Sequence, residues 1–326
     1  MKFGILGAGG IARTMATTIN RMPVVTRKVI ASRDTARAEA FRKEFSFDAA
    51  YGSYEEMLAD PEIDLVYIAV PHSHHYKWTL AALEAGKHVL CEKAFAVNEW
   101  KARDMIACAR RRHLLLAEAI WTRYMPYRRI VTDLIASGEI GEITTVTANL
   151  GYPIDMNERI IRPELAGGAL LDLSVYTLNF ASMFLGNDIA RINASCVMTD
   201  TGVDGQDSIF IEYRDGRMAH LFSTIYAQPT RTGYIYGRDG FIEVHNINNP
   251  DVIRLWKIAD RTPVLQQEIF VPEKITGYEY EVLACEKAIR SGAIECPEMP
   301  HSETIEIMRQ MDEIRRQFGL VFPGIE

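Results

Sequence analysis

Along residues 1–118, short apolar runs alternate with stretches whose apolar positions recur every three to four residues. That alternation is the signal of a parallel sheet joined by crossover helices. It predicts strands over 2–6, 25–31, 64–70, 88–91 and 114–118, with helices over 11–22, 35–45, 74–85 and 99–112 between them. Local punctuation agrees. Ser53 and Glu56 form a capping box before a short helix, and Gly86 stands where a helix C-cap glycine belongs.

After residue 120 the pattern changes. A helix over 127–136 precedes a strand over 143–150, and an apolar helix covers 169–185. Alternating strands follow over 192–198, 208–213, 218–225, 234–236, 241–245 and 252–256. Asp215-Gly216 and Asp239-Gly240 are tight-turn dipeptides between such runs, so much of this sheet should be antiparallel. Two helices, 277–290 and 302–318, close the chain. The fold class is therefore α/β. A doubly wound parallel domain over 1–120 is followed by a second α/β domain over 121–326, with an open, mostly antiparallel sheet. No flexible linker separates them, so the expected substrate site is a cleft between packed domains.

Composition narrows the class. Hydrophobic residues make up 48% and charged residues 24%, as in an ordinary globular protein. The net charge of −7 speaks against a nucleic-acid partner, which requires a basic face. The five cysteines, Cys91, Cys108, Cys196, Cys285 and Cys296, are scattered without metal-ligand spacing. They read as reduced thiols, and no metal site is expected. With no signal peptide and no apolar run long enough to span a bilayer, the expectation is a cytoplasmic protein with no membrane partner.

The first chemistry-bearing motif is Gly7-Ala8-Gly9-Gly10-Ile11-Ala12, directly after the first strand and opening a helix. Gly7 permits the tight turn, Gly9 lets the backbone approach a pyrophosphate, and Ala12 lets helix and strand pack closely. The helix N-terminus then offers N–H groups and positive dipole to phosphates. At the end of the second strand, where an NAD enzyme places an acidic residue, this chain has Ser32-Arg33. A hydroxyl and a guanidinium suit a 2′-phosphate, and Arg37 adds charge one helical turn on. NADP(H) is thus the preferred cofactor, with NAD(H) the second option. The plainer alternative is that Arg33 is a solvated loop residue.

Further motifs follow in order. Ile68-Ala69-Val70-Pro71-His72 runs on to His75. Ala85-Gly86-Lys87-His88-Val89-Leu90-Cys91-Glu92-Lys93 enters a loop. Trp121-Thr122-Arg123 comes next, and Gly167-Gly168-Ala169-Leu170-Leu171-Asp172 leads to Tyr176. Along its whole length the chain resembles the glucose–fructose oxidoreductase / inositol dehydrogenase (Gfo/Idh/MocA) family. Glu118-Ala119-Ile120-Trp121-Thr122-Arg123 with Tyr176 is most similar to the dimeric dihydrodiol dehydrogenase and glucose–fructose oxidoreductase branch.

The resemblance implies a Rossmann domain, a second domain whose sheet forms a homodimer interface, and a set of roles. Glu92-Lys93 matches a motif whose lysine lies beside nicotinamide and substrate. Trp121 and Arg123 match cofactor contacts, as do Pro71, His72 and His75 in the loop after the third strand. Asp172 and Tyr176 match the aspartate and the acid–base position. His74 is read as solvated. One departure is Ala94, which replaces the proline that makes a cis bond accessible, so a looser hold on Lys93 is expected.

The chemistry suits an alcohol–carbonyl interconversion. A free tyrosine, with pKa about 10, is a poor base at neutral pH, and a nearby ammonium favours its phenolate. Lys93 and Tyr176 supply that pair. Asp172, at i−4 from Tyr176, shares its helix face and can bind a substrate hydroxyl or orient Lys93. The plain alternatives are a core tyrosine, a surface lysine and an aspartate bonded to a backbone amide. The leading expectation is an NADP-dependent oxidoreductase acting on a sugar, polyol or cyclic diol. A catalytically silent dinucleotide-binding regulator and an NAD-dependent glycosidase on the same scaffold are the alternatives. Lys93, Asp172 and Tyr176 speak against the regulator, and Ser32-Arg33 disfavours the glycosidase.

Overall fold

The computed structural model describes residues 1–325; Glu326, the last residue of the expected second domain, lies outside the described residues. The chain forms two compact units. One comprises Met1–Tyr124 with Lys274–Ile305, the other Met125–Glu273 with Glu306–Glu326.

In the first unit, β1 (Lys2–Leu6), α1 (Gly10–Ile19), β2 (Arg27–Ala31), α2 (Thr35–Phe45), β3 (Ala49–Tyr51) and α3 (Tyr54–Ala59) form one half. The other half is β4 (Leu65–Ile68), α4 (His72–Glu84), β5 (His88–Glu92), α5 (Glu99–Arg112) and β6 (Leu116–Ala119). The sheet order is β3-β2-β1-β4-β5-β6, with every pair parallel. The central strands β1 and β4 contribute Phe3, Ile5, Leu6 and all of Leu65–Ile68 without exposure, which is why they read as continuous apolar runs. Local chemistry sets the helix ends. Asp34 caps α2 by accepting from Ala36 and Arg37 N–H, and Asn98 caps α5 by accepting from Lys101 N–H. Gly86, at φ +78°, ends α4 as its position in the sequence suggests. β3 escapes sequence reading because it is a three-residue edge strand.

The second unit holds α6 (Tyr127–Ala136), β7 (Ile143–Gly151), α7 (Glu158–Ile161), a π-helical turn (Leu170–Ser174) and α8 (Val175–Leu185). Its strands continue with β8 (Ile189–Met198), β9 (Asp204–Tyr213), β10 (Met218–Thr224), β11 (Gly233–Gly237), β12 (Gly240–Val244), β13 (Val252–Ala259) and β14 (Thr262–Phe270). The sheet order is β14-β13-β12-β11-β7-β10-β9-β8. Only β7 and β10 run parallel. Ile235, Ile242, Val244, Ile253 and Leu255 line its buried face. The segment Pro163–Leu185 corrects an expectation: at mean hydropathy 1.3 it is long and apolar enough to cross a membrane. It is nevertheless 94% buried.

The last elements are α9 (Glu279–Ser291) and α10 (His301–Phe318). The division of the chain differs from a single break at 120, because 274–305 return to the first unit. The physical reason is the open edge of β6, whose unpaired backbone needs covering. Leu116 N–H donates to Ile294 O at 3.1 Å, and His301 Nε2 lies 2.8 Å from Leu116 O.

Candidate functional site

The glycine turn after β1 has the form a dinucleotide requires. Gly7 adopts φ +109°, and a Cβ there would lie 2.4 Å from Ala69 O, so only glycine fits. At Gly9 and Gly10 the space a Cβ would occupy is open, which leaves the backbone accessible. No side chain caps α1 and no acidic residue occupies its first turn. These features fit a bound pyrophosphate. Ile11 follows in the first turn and Ala12 is fully buried against the sheet.

The residues after β2 converge on the same turn. Arg37 Nη2 donates to Ala8 O at 2.7 Å, placing an exposed guanidinium at the glycine turn. Arg33 is exposed, and its charge lies near the Tyr54 hydroxyl, opposing the larger upward effect of burial on that group's pKa. Its charge also helps hold the His74 imidazole below its usual pKa, behind the larger effect of burial. His74 is therefore half-buried and hydrogen-bonded to Ser73 Oγ rather than solvated. Ser32 is buried, and its hydroxyl accepts from Asp34 N–H at 3.3 Å. Asp34, the nearest acid to the β2 end, has its carboxylate engaged in capping α2.

At the end of β4, Pro71 caps α4, which starts at His72, two residues earlier than the sequence suggests. His72 is buried beside His75, with ring centroids 5.6 Å apart. The His75 ring is fully buried, with Nδ1 2.8 Å from Ala94 O and Nε2 2.9 Å from Val70 O. It joins the end of β4 to the loop after Lys93. The Lys93–Ala94 peptide is cis, and Lys93 is half-buried. Glu92 anchors this loop, accepting from the Tyr67 hydroxyl and from Lys93 N–H.

Trp121 and Arg123 have internal partners. The Trp121 ring stacks on Tyr278 at 4.1 Å, and buried Arg123 is ion-paired with Glu303 at 2.9 Å. A guanidinium this deeply buried needs such a partner, so bracing the first unit is its visible role. Neither Tyr278 nor Glu303 carries a sequence signal, because both lie far along the chain.

In the second unit, Asp172 lies within the π-helical turn and Tyr176 one residue into α8, both nearly buried. The two share one continuous helical segment, but its start is π rather than the uniform α-helix expected. Such turns recur at functional sites. Arg159 Nη1 donates to Asp172 Oδ1 at 3.0 Å, a partner that the sequence did not reveal. Among the described residues, no group of His, Cys, Asp or Glu could hold a metal ion.

Known proteins match this architecture. Residues 1–119 match the oxidoreductase family with an NAD-binding Rossmann fold, and residues 129–243 match the Gfo/Idh/MocA C-terminal domain. The chain is 33% identical to a trans-1,2-dihydrobenzene-1,2-diol dehydrogenase of Danio rerio, over 99% of this chain and 98% of that one. It is 34% identical to an NADP(+) D-xylose 1-dehydrogenase of Hypocrea jecorina, over 100% and 94% respectively. Among solved structures, the 3-ketoreductase KijD10 of Actinomadura kijaniata, in complex with NADP and TDP-benzene, superposes with a TM-score of 0.88. That pair is 26% identical, with 98% of each chain covered. The chain belongs to the Gfo/Idh/MocA oxidoreductase family.

Proposed function

We propose that this protein is an NAD(P)-dependent oxidoreductase that interconverts a CH–OH group and a carbonyl on a sugar, polyol or cyclic diol, with NADP(H) preferred. The observation that carries this reading is the glycine turn with open Cβ positions at Gly9 and Gly10 and Arg37 fastened to Ala8 O. Relatives named as diol and xylose dehydrogenases support the substrate class. When bound, the nicotinamide supplies or accepts the hydride.

The chain's own residues then have separable tasks. Gly7, Gly9 and Gly10 shape the turn that holds the pyrophosphate, while Arg33 and Arg37 supply positive charge for a 2′-phosphate. Tyr176 passes the proton of the substrate hydroxyl, and the Lys93 ammonium favours its phenolate form. Asp172, braced by Arg159, orients the substrate hydroxyl. The test is absorbance at the reduced-nicotinamide band with a panel of aldoses, inositols and cyclic diols, using NADP and NAD in parallel. Turnover on at least one panel member, faster with NADP, is expected. Cofactor binding without any turnover would favour a silent regulator.

A homodimer formed through the second sheet is part of the same proposal. Tyr234, Tyr236, Phe241 and Trp256 form a half-exposed aromatic row on one face of β11–β13. Light scattering should give twice the chain mass at micromolar concentration, and a monomer mass would refute it.

A further inference from the structure

The second unit carries two buried carboxyl groups to which the proposed chemistry gives no task. Asp204 opens β9 and Asp207 follows it, and neither has any exposed surface. Each uses one oxygen to hold the helical turn across from it. Asp204 Oδ2 accepts the Leu170 N–H, and Asp207 Oδ2 accepts the Ser174 hydroxyl at 2.8 Å. Leu170 and Ser174 are the first and last residues of the π-helical turn. The two carboxyls therefore grip both ends of the segment that contains Asp172 and leads into Tyr176. The approach is close. Gly168, at φ +107°, could not carry a Cβ, which would lie 2.1 Å from Asp204 Oδ1.

The second oxygen of each group, Asp204 Oδ1 and Asp207 Oδ1, is buried and receives no hydrogen bond from any described residue, and the two carboxyls lie close enough to affect each other's ionisation. Two carboxylates would leave both oxygens unsatisfied; a proton on the pair supplies the missing donor. The titratable groups that face the pair are Cys196, paired opposite Asp207 in β8, and Tyr226, which also feels Asp155 and Asp200. Ser223 lies opposite Asp207 in β10. None of these is cationic, so none favours a doubly ionised pair. Burial pushes Asp204 up to about 7 against the backbone hydrogen bonds from Leu170 and Ala169, and burial also pushes Asp207 well above the usual carboxylate range, with the charge of Asp204 adding to it. At least one proton stays on the pair at neutral pH.

We propose that Asp204 and Asp207 share a proton and act as positioning residues, fixing the π-helical turn in the geometry that Asp172 and Tyr176 require. The proposal rests on the catalytic roles assigned above. It also explains the local sequence: Gly168 before the turn admits the Asp204 carboxyl, and Ser174 supplies a donor at the turn's far end.

Amide substitutions test the shared proton. Asp204→Asn or Asp207→Asn alone leaves a donor facing an acceptor, so kcat should stay within about threefold of the native value. The double variant Asp204→Asn with Asp207→Leu leaves the new amide at position 204 facing no acceptor and Ser174 without its partner, and its kcat should fall about tenfold or more, the scale of a lost buried hydrogen bond. NADPH affinity should not change in any of them. Ser174→Ala removes one grip and leaves the acid pair intact. It should also lower kcat without changing NADPH affinity, and it serves if the double variant does not fold.

A second readout is unfolding against pH. The native pair keeps a proton that the unfolded chain releases between about 4 and about 7. Native stability therefore falls as pH rises through that window. Relative to Asp207→Asn, the native unfolding constant should grow by up to about tenfold per pH unit there. A double variant as active as the singles, or a ratio independent of pH, would overturn the proposal. Tyr176→Phe run in parallel separates the two readings. If it keeps native turnover, the catalytic assignment fails, while the unfolding ratio still tests the shared proton.

Discussion

The two units carry their proposed working groups in different ways. In the first unit the strands are parallel and buried on both faces, and the working surface is backbone: the Gly7–Gly10 turn and the start of α1. In the second the strands are mostly antiparallel with one face half-exposed, and the working groups are side chains on a helical segment packed over the sheet. Backbone sites are set by a few glycines adjacent in sequence. Side-chain sites are set by whatever holds the helix, here Arg159 on Asp172 and the Asp204–Asp207 pair on the turn. The first kind of site is local in sequence, the second is not.

The sharpest way to break this contrast is to remove the second unit's hydroxyl. Tyr176→Phe should leave folding and NADPH binding intact, because the nucleotide turn belongs to the first unit. General acid–base catalysis contributes about 10²–10⁴-fold, so kcat should fall by that order. Lys93→Met should also lower kcat, and its residual activity should rise toward higher pH, where the phenolate no longer needs a neighbouring ammonium. The two losses should combine to less than their product, as for groups acting as one unit. Native turnover in Tyr176→Phe on a substrate the protein demonstrably uses would remove the tyrosine from the mechanism.

The same contrast explains what the sequence disclosed. The parallel sheet was legible because buried strands read as unbroken apolar runs, and Gly7, Gly9 and Gly86 are local signals. The second sheet was legible where one face is buried, as in β9 to β13. It was not legible at β14, whose residues are almost all exposed and so show no alternation. The β13–β14 turn was also silent: Asp260 and Arg261 both adopt positive φ without a glycine to announce it. At the β11–β12 hairpin the turn residues are Arg238 and Asp239, one step before the Asp239-Gly240 pair that the sequence suggested. Gly240 itself is required because a Cβ would meet Trp256 O at 2.2 Å. Lys93, Asp172 and Tyr176 were singled out through the family motif, and the roles given to them are proposals. Tyr278, Glu303, Arg159, Asp204 and Asp207 were not, because pairing across long stretches of chain leaves no local pattern.

A smaller effect sharpens the comparison from the side of the first unit, whose buried charges concern stability rather than turnover. Glu118 on β6 is fully buried, and burial raises its pKa to about 7. The nearby Thr304 hydroxyl and the charge of Arg123 oppose the shift. The folded chain thus keeps a proton that the unfolded chain loses above about 4.5. Stability should fall as pH rises from about 4.5 to about 7, by up to about 3 kcal/mol, and stay lowered above that. Glu118→Gln cannot ionise, so denaturant unfolding at pH 5 and pH 8 should show the native chain losing ground to the variant at the higher pH. A gap that does not change with pH would mean that Glu118 is ionised throughout.

The smallest effect concerns cofactor choice, and it asks whether the first unit's site is backbone alone. If the glycine turn does all the binding, removing a nearby guanidinium should weaken NADPH and NADH equally. If Arg37 and Arg33 meet the 2′-phosphate, only NADPH should suffer. Arg37 is the stronger candidate because its guanidinium is already fixed on Ala8 O, whereas Arg33 is exposed after β2. A charge-assisted hydrogen bond contributes about 1.5–3 kcal/mol, so Arg37→Ala should raise the NADPH dissociation constant by about tenfold or more. Arg33→Ala should do the same more weakly, and NADH binding should be nearly unchanged in both. Fluorescence titration with the two reduced cofactors decides it. Equal losses for NADPH and NADH would assign Arg37 to shaping the turn and remove 2′-phosphate recognition from its role. High salt offers a control on the same variants. Screening weakens the contribution of exposed charges, so the native preference for NADPH should shrink as ionic strength rises. In Arg37→Ala that dependence should be largely gone.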